Sequence, residues 1–384
     1  LLPGVESNTD AMPFLRSLTE NTIKGYAYSS VFGGTTANSE YEFLTGNTTA
    51  FLPAGTVPYQ MYVSDGDPTL VGQMAALGYR TVAAHPYRSS GWSRPSVYQD
   101  FGFDEVYFEG DFQDRKYMRG DEKTGYVTDQ CDYENLIRWY EEKEAGEPLF
   151  LFNVTMQNHS GYDTGLLPPD KLNNYLIDGA VNNEVNEYLS LIEESDRALK
   201  DFVGKLRKLD RPVVLVFFGD HQPFFPDKYN NRWFTNEDKA EHNMRLWTTD
   251  YLIWANYDVA GNDQDSHVDN LSTNYLGTEM MNIIGAPLND YQKAQLTLRN
   301  ALPAINTTGY LDATGTIYLS SVKEDENGGD AHTSLQKAMQ ARSEYATIQY
   351  YELFGDGKDV YTKLRQSAAN ETDPNLAPGT TQIK

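Results

Sequence analysis

The chain has 384 residues and carries 31 Lys+Arg against 55 Asp+Glu, a formal charge of −24. That balance repels a phosphate backbone, so no nucleic acid is expected as partner, and a polyanionic ligand would need a local basic pocket or a metal. With 40% apolar residues, 27 Tyr, 17 Phe and one Cys, wholesale disorder, a disulfide framework and a Cys-rich zinc site are all excluded, and no apolar run approaches the roughly 18 residues of a membrane span.

Helical and strand signals alternate along the chain. Asp67-Pro68 precedes an apolar stretch (Leu70, Val71, Met74, Ala75, Leu77) ended by Gly78, which predicts a helix with an acidic cap and an early proline. Residues 80–85 read as a short buried strand, 128–146 as a helix with Leu136, Ile137, Trp139 and Tyr140 on its apolar side, and 149–155 as a strand running into polar residues. A long amphipathic helix is predicted over 185–209 and a continuous apolar strand over 212–218, as expected in a sheet buried on both faces. Residues 251–255 predict another strand and 271–284 another helix. This alternation implies an α/β fold with a mostly parallel central sheet flanked by helices. From Gly309 the pattern weakens into an acidic loop (321–330), a helix (331–354) and a polar tail (367–384). The organisation expected is one domain over 1–308 and a small C-terminal appendage over 309–384.

Ligands of open parallel sheets bind beyond the carboxyl ends of the strands. Three of the six histidines follow apolar strands there: His85, His159 and His221. In Gly219-Asp220-His221 a glycine permits a tight exit, and the carboxylate and imidazole can offer oxygen and nitrogen to Mn²⁺, Mg²⁺ or Zn²⁺. The plainer alternative is that Asp220 caps a turn and His221 packs on Pro223. In Gly33-Gly34-Thr35-Thr36 two glycines lead to a hydroxyl at a helix start, where the dipole and a metal could produce an alkoxide nucleophile; an ordinary N-cap is the alternative. In the segment from His85 to Arg94, Arg94 offers a fork for phosphate and Trp92 a flat wall for a small polyol, against a surface loop with one anchoring Trp.

Taken in order, Gly33-Gly34-Thr35-Thr36-Ala37-Asn38-Ser39-Glu40, Trp92-Ser93-Arg94, Asn158-His159 and Gly219-Asp220-His221 resemble the lipoteichoic acid synthase-like phosphoglycerol transferases of the alkaline phosphatase/sulfatase superfamily. Phe51-Leu52-Pro53-Ala54-Gly55 and Gly78-Tyr79-Arg80-Thr81 fit the same likeness, which runs from about Asp10 to Tyr310. It implies Thr36 as nucleophile, with Thr36, Asp220 and His221 holding one divalent cation, Mn²⁺ or Mg²⁺. It implies His159 near the leaving oxygen, Trp92 and Arg94 on glycerol phosphate, and His85 as a further pocket histidine. The donor implied is a phosphatidylglycerol-type lipid and the acceptor a cell-envelope polymer or glycan hydroxyl, at the extracellular face of a bacterial cell membrane, with membrane helices upstream. The family also supplies a metal-binding Glu from a first strand upstream of residues 1–14. Glu6 is a poor substitute for it, so the chain is expected to begin after that strand and its sheet to lack an inner strand.

Rival readings are a phosphoethanolamine transferase or related phosphohydrolase, and a non-catalytic module that binds glycerol-phosphate polymer. A formylglycine sulfatase needs C/S-x-P-x-R, whereas Cys131 is followed by Asp132-Tyr133-Glu134-Asn135. His242, His267 and His332 read as solvated or structural, and Glu40 and Glu42 as complements to a helix start.

Overall fold

A computed structural model describes residues 7–225, 227–259, 269–321 and 330–355. His267, Glu6 and the 367–384 tail lie outside the described residues, as does most of the 321–330 loop. The strands are β1 (Thr22–Tyr28), β2 (Arg80–His85), β3 (Glu105–Phe108), β4 (Leu149–Asn153), β5 (Val214–Phe218), β6 (Thr248–Ala255), β7 (Leu271–Ser272), β8 (Ala304–Ile305), β9 (Gly309–Leu311) and β10 (Ile317–Leu319).

They form a parallel sheet β3-β2-β4, a mixed sheet β5-β6-β1-β7 and a small antiparallel sheet β10-β9-β8. The α/β architecture with flanking helices is the one expected. Its pairing is more mixed, because β6 runs antiparallel between β1 and β5. Strand β1 carries little apolar alternation and escapes a sequence reading; it needs Gly25, where a Cβ would meet the Asp269 carbonyl oxygen at 2.2 Å.

Strand alternation divides the core into two layers. In β6, Tyr251 and Ile253 face one cluster while Leu252 and Trp254 face the other. The helices Thr36–Thr45, Leu70–Ala76 and Thr273–Ile283 cover the first layer through Phe43, Met74 and Tyr275. The helices Asp129–Glu142 and Asn183–Leu206 cover the second through Leu136, Trp139, Leu199 and Phe202. The Asp330–Phe354 helix adds Leu335, Ala338, Ala341 and Tyr345 to the first layer, so residues placed in a C-terminal appendage share the main core. Thr69, not Asp67, caps the Leu70–Ala76 helix: its hydroxyl accepts from Gly72 N–H, while Asp67 closes a turn by accepting from Ser64 N–H.

Among the described residues, neither the edge of β4 away from β2 nor that of β5 away from β6 pairs with a strand. Both strands line one cavity of about 1430 Å³, walled by Phe43, Met74 and Met280 of one layer and Leu136, Leu199 and Phe202 of the other. No helix of the described residues is long and apolar enough to cross a membrane.

Candidate active site

The early glycine turn is shaped by backbone that L-residues avoid. Gly33, Gly34 and Thr35 have φ of 69°, 156° and 67°, and a Cβ on Gly33 would stand 2.8 Å from Phe224 Cβ. Gly33 N–H donates to the Gln222 carbonyl at 3.0 Å, tying the turn to the segment that leaves β5. Thr36 opens its helix, and its hydroxyl donates to Asp220 Oδ2 at 2.6 Å. The Ser29 and Ser39 hydroxyls donate to the Asp220 carbonyl at 2.7 and 2.6 Å and fix its backbone.

His221 completes the cluster. Its Nδ1 lies 2.8 Å from the Gln222 carbonyl, which can only accept, so Nδ1 carries the proton. Nε2 then faces Asp220 Oδ2, 3.2 Å away, the nitrogen left free to ligate a metal once it carries no proton. A carboxylate, a hydroxyl and an imidazole nitrogen converging in this way suit a divalent cation of the Mn²⁺ or Mg²⁺ kind. Among the described residues no group of three or more His, Cys, Asp and Glu gathers as a metal cluster. These three side chains would therefore supply part of a coordination shell.

Facing them is a wall built on β2. Trp92 and Ser93 both lie in the left-handed region, with φ of 57° and 58°, so the chain turns sharply into the helix Arg94–Phe101. Trp92 stays 37% exposed, its carbonyl accepting from Gln60 Nε2 at 2.8 Å. Arg94 is buried: Nη2 donates to Glu40 Oε1 at 2.5 Å, Nε to the Tyr98 hydroxyl at 3.2 Å, and Nη1 lies 3.4 Å from His85 Nε2. The Tyr98 hydroxyl donates to Glu40 Oε2 at 2.7 Å. Burial alone would lower the Arg94 pKa; Glu40 outweighs it and holds the guanidinium charged. His85 donates through Nδ1 to the Val154 carbonyl at 2.8 Å. Burial, then the neighbouring Arg94 charge, pushes its pKa down to about 3, so it stays neutral.

His159 follows β4 on an exposed segment. Its Nδ1 lies 2.8 Å from the Ser160 carbonyl and 3.3 Å from the Tyr126 hydroxyl. Thr36, His85, Trp92, Arg94, His159, Asp220 and His221 all line the same 1430 Å³ cavity. The residues that sequence reasoning undervalues are Glu40, whose burial turns a helix-start carboxylate into a counter-ion, and Arg119 and Tyr126, which sit in an irregular segment without a motif. His242 pairs with Glu237 and Asn231. Cys131 is buried in the Asp129–Glu142 helix, where burial raises its thiol pKa.

This architecture is shared with known structures. The Streptococcus pyogenes phosphoglycerol transferase GacH, solved in complex with sn-glycerol-1-phosphate, superposes with a TM-score of 0.69 at 19% identity, covering 94% of this chain and 84% of that one. The lipoteichoic acid synthase LtaP from Listeria monocytogenes superposes with a TM-score of 0.62 at 18% identity, covering 90% of this chain and 88% of that one. In sequence the chain is 32% identical over 271 residues to a Rhizobium meliloti (strain 1021) protein named "Putative cyclic beta-1,2-glucan modification protein"; the match takes in 66% of this chain and 39% of that protein. The chain thus spans about two fifths of that relative's length. The sulfatase family model matches residues 3–285, a range that takes in every described residue up to the end of the helix Thr273–Ile283, and the chain belongs to that family.

Proposed function

We propose that the protein transfers glycerol phosphate from a phosphatidylglycerol-type lipid to a polymer or glycan hydroxyl through a phosphoglycerol-threonine ester on Thr36. The observation that carries this reading is the convergence of Thr36 Oγ1 and His221 Nε2 on Asp220 Oδ2, at 2.6 and 3.2 Å, from positions 184 residues or more apart from Thr36 in sequence. The similarity to GacH and LtaP supports the choice of a phosphoglycerol group over sulfate, as does the placement of Cys131 inside a helix.

Charge argues for a cation. Among the described residues Asp220 is a carboxylate without a basic side-chain partner other than His221, and the buried Glu40 already engages Arg94, so an anionic phosphodiester entering the site meets little unneutralised positive charge. Thr36, Asp220 and His221 would hold a divalent ion, which supplies Lewis acidity and lowers the pKa of a nearby hydroxyl. The chain's own residues do the rest. Asp220 Oδ2 accepts the Thr36 hydroxyl hydrogen bond and orients Oγ1. As a bond forms from Oγ1 to phosphorus, the Thr36 proton passes to Asp220 Oδ2, and the bond from phosphorus to the diacylglycerol oxygen breaks. That oxygen takes a proton from Nε2 of His159, which enters this step as the imidazolium and leaves it neutral, its remaining proton on Nδ1 toward the Ser160 carbonyl. In the second half, the acceptor hydroxyl gives its proton to Nε2 of the now neutral His159 and displaces Oγ1, which recovers its proton from Asp220 Oδ2. Trp92 offers its face to the glycerol, while neutral His85 keeps Arg94 in line. A lipid donor implies work at the outer face of a bacterial membrane.

The test uses fluorescent phosphatidylglycerol with Mn²⁺. Expected are diacylglycerol release and one glycerophosphoryl group on the peptide bearing Thr36, both lost by roughly a thousandfold or more in Thr36→Ala. Unchanged release in that variant rejects the reading. Equal or faster turnover of phosphatidylethanolamine moves the assignment to a phosphoethanolamine transferase.

A further inference from the structure

Residues 154–165, which carry His159, contain no helix or strand, so something other than secondary structure must hold the imidazole. The holder is a single buried guanidinium. Arg119 Nη1 donates to the Gly161 carbonyl at 2.7 Å, and Nη2 donates to the carbonyls of Gln157, at 3.2 Å, and of His159. The side chains of Arg119 and Glu187 are only 4% and 5% exposed, and Nη1 lies 3.3 Å from Glu187 Oε1. Glu187, on the helix Asn183–Leu206, also accepts from the Thr164 N–H and hydroxyl at 2.8 Å each, so the pair grips the segment along its length. The rings of Tyr126 and Tyr162 lie 5.6 and 5.8 Å from the guanidinium carbon. Tyr126 then reaches the imidazole with its hydroxyl, and the Tyr162 hydroxyl donates to the Asn158 carbonyl at 2.8 Å.

We infer that Arg119, anchored by Glu187, is a positioning residue that fixes the tautomer and aim of His159. The carbonyls on either side of Ser160 are clamped by one rigid planar fork, so the Ser160 carbonyl is presented to His159 Nδ1 and takes its hydrogen. That leaves Nε2 as the nitrogen that faces a ligand. A lysine would keep the charge beside Glu187 but cannot span several carbonyls in one plane. The functional importance of this aim rests on the transferase reading; the tautomer does not.

The test is two-bond ¹H–¹⁵N correlation on the chain labelled with ¹⁵N-histidine, His159 being assigned by the signal lost in His159→Gln. In the unaltered chain the neutral imidazole of His159 should carry its proton on Nδ1. A proton on Nε2, or an even mixture, overturns the inference whether or not any variant folds. In Arg119→Lys the Nε2–H form should rise severalfold, with faster amide exchange confined to 157–164; a folded Arg119→Lys with the wild-type tautomer also overturns it. The double variant Arg119→Met/Glu187→Gln removes both charges, avoids a lone buried ion and is read in the same way. In the lipid assay Arg119→Lys should lose kcat by roughly tenfold to a hundredfold with KM within about twofold. If the unaltered chain releases no diacylglycerol, the transferase reading fails while the tautomer measurement still decides the role of Arg119.

Discussion

The two walls of the site solve the same problem differently. On the β2 side, Glu40, Arg94, Tyr98 and His85 form a buried net in which the charges are matched and each ring or fork is held by hydrogen bonds. On the β5 side, Thr36 and His221 crowd one carboxylate oxygen, and the side chains of Asp220 and His221 remain 39% and 19% exposed. The first wall is complete in the bare protein and serves as a fixed template. On the proposed reading the second would be electrostatically balanced only when it holds a cation, and its strength would be deferred to that loaded state. Stability should therefore depend on the first wall and chemistry on the second.

The sharpest way to break that contrast is to remove one carboxylate from each wall. Glu40→Gln leaves a buried guanidinium without its counter-ion and should destabilise the cation-free protein by about 3–5 kcal/mol. Asp220→Asn removes a partly exposed charge and should change stability by no more than about 1 kcal/mol under the same conditions. Urea unfolding of both variants checks the pair. Equal losses would mean that the second wall contributes to folding as much as the first.

Why one wall is easier to read than the other follows from its chemistry. Asp220, His221 and Thr36 sit where strand and helix ends can be placed from apolar runs and glycines, and the structure brings them together. Strands β2, β4 and β5 are legible for the same reason: each is an apolar run broken by a polar exit. What the sequence hides is pairing across distance. Glu40 looks like any early-helix carboxylate until the segment around Arg94 folds over it, 54 residues later. Arg119 lies in an irregular stretch, and its carbonyl partners belong to backbone, which carries no sequence signal. Strand β1 stays hidden because its Lys24, Gly25 and Tyr26 break the alternation, although β6 and β7 bury it.

A second carboxylate on the same helix sharpens the comparison through pH. Glu42 is fully buried, and among the described residues no cation pairs with it. Its Oε1 accepts from the hydroxyls of Ser30, Thr48 and Thr49 and from Thr49 N–H, while Oε2 has no hydrogen-bond donor among the described residues. Burial, only partly offset by those donors, pushes its pKa up to about 7 from 4.5. The folded protein therefore keeps this proton to higher pH than the unfolded chain does. Its contribution is fully present below about pH 4.5 and is lost as pH rises through about 7, a change on the order of 3 kcal/mol. Glu42→Gln should flatten that part of the stability curve measured from pH 5 to 8, and an unaltered slope would assign it to another group.

The smallest effect tests whether the left-handed turn at Trp92 exists to display the ring. Trp92 is more than a third exposed, so little of its ring contributes to the core, and Trp92→Ala should shift stability by no more than about 0.5 kcal/mol. The backbone strain at φ 57° remains in that variant, because alanine tolerates this region no better than tryptophan. Trp92→Gly relieves it and should be more stable than Trp92→Ala by about 1 kcal/mol. Both variants lose the aromatic face, so both should raise KM for the lipid donor by about three- to tenfold, equivalent to one aromatic contact, with kcat little changed. The two readouts separate cause from consequence. If glycine restores stability while KM rises equally in both, the strain belongs to the fold and the affinity to the ring. If KM stays at the wild-type value, the ring does not meet the donor, and the template wall reduces to its buried net alone.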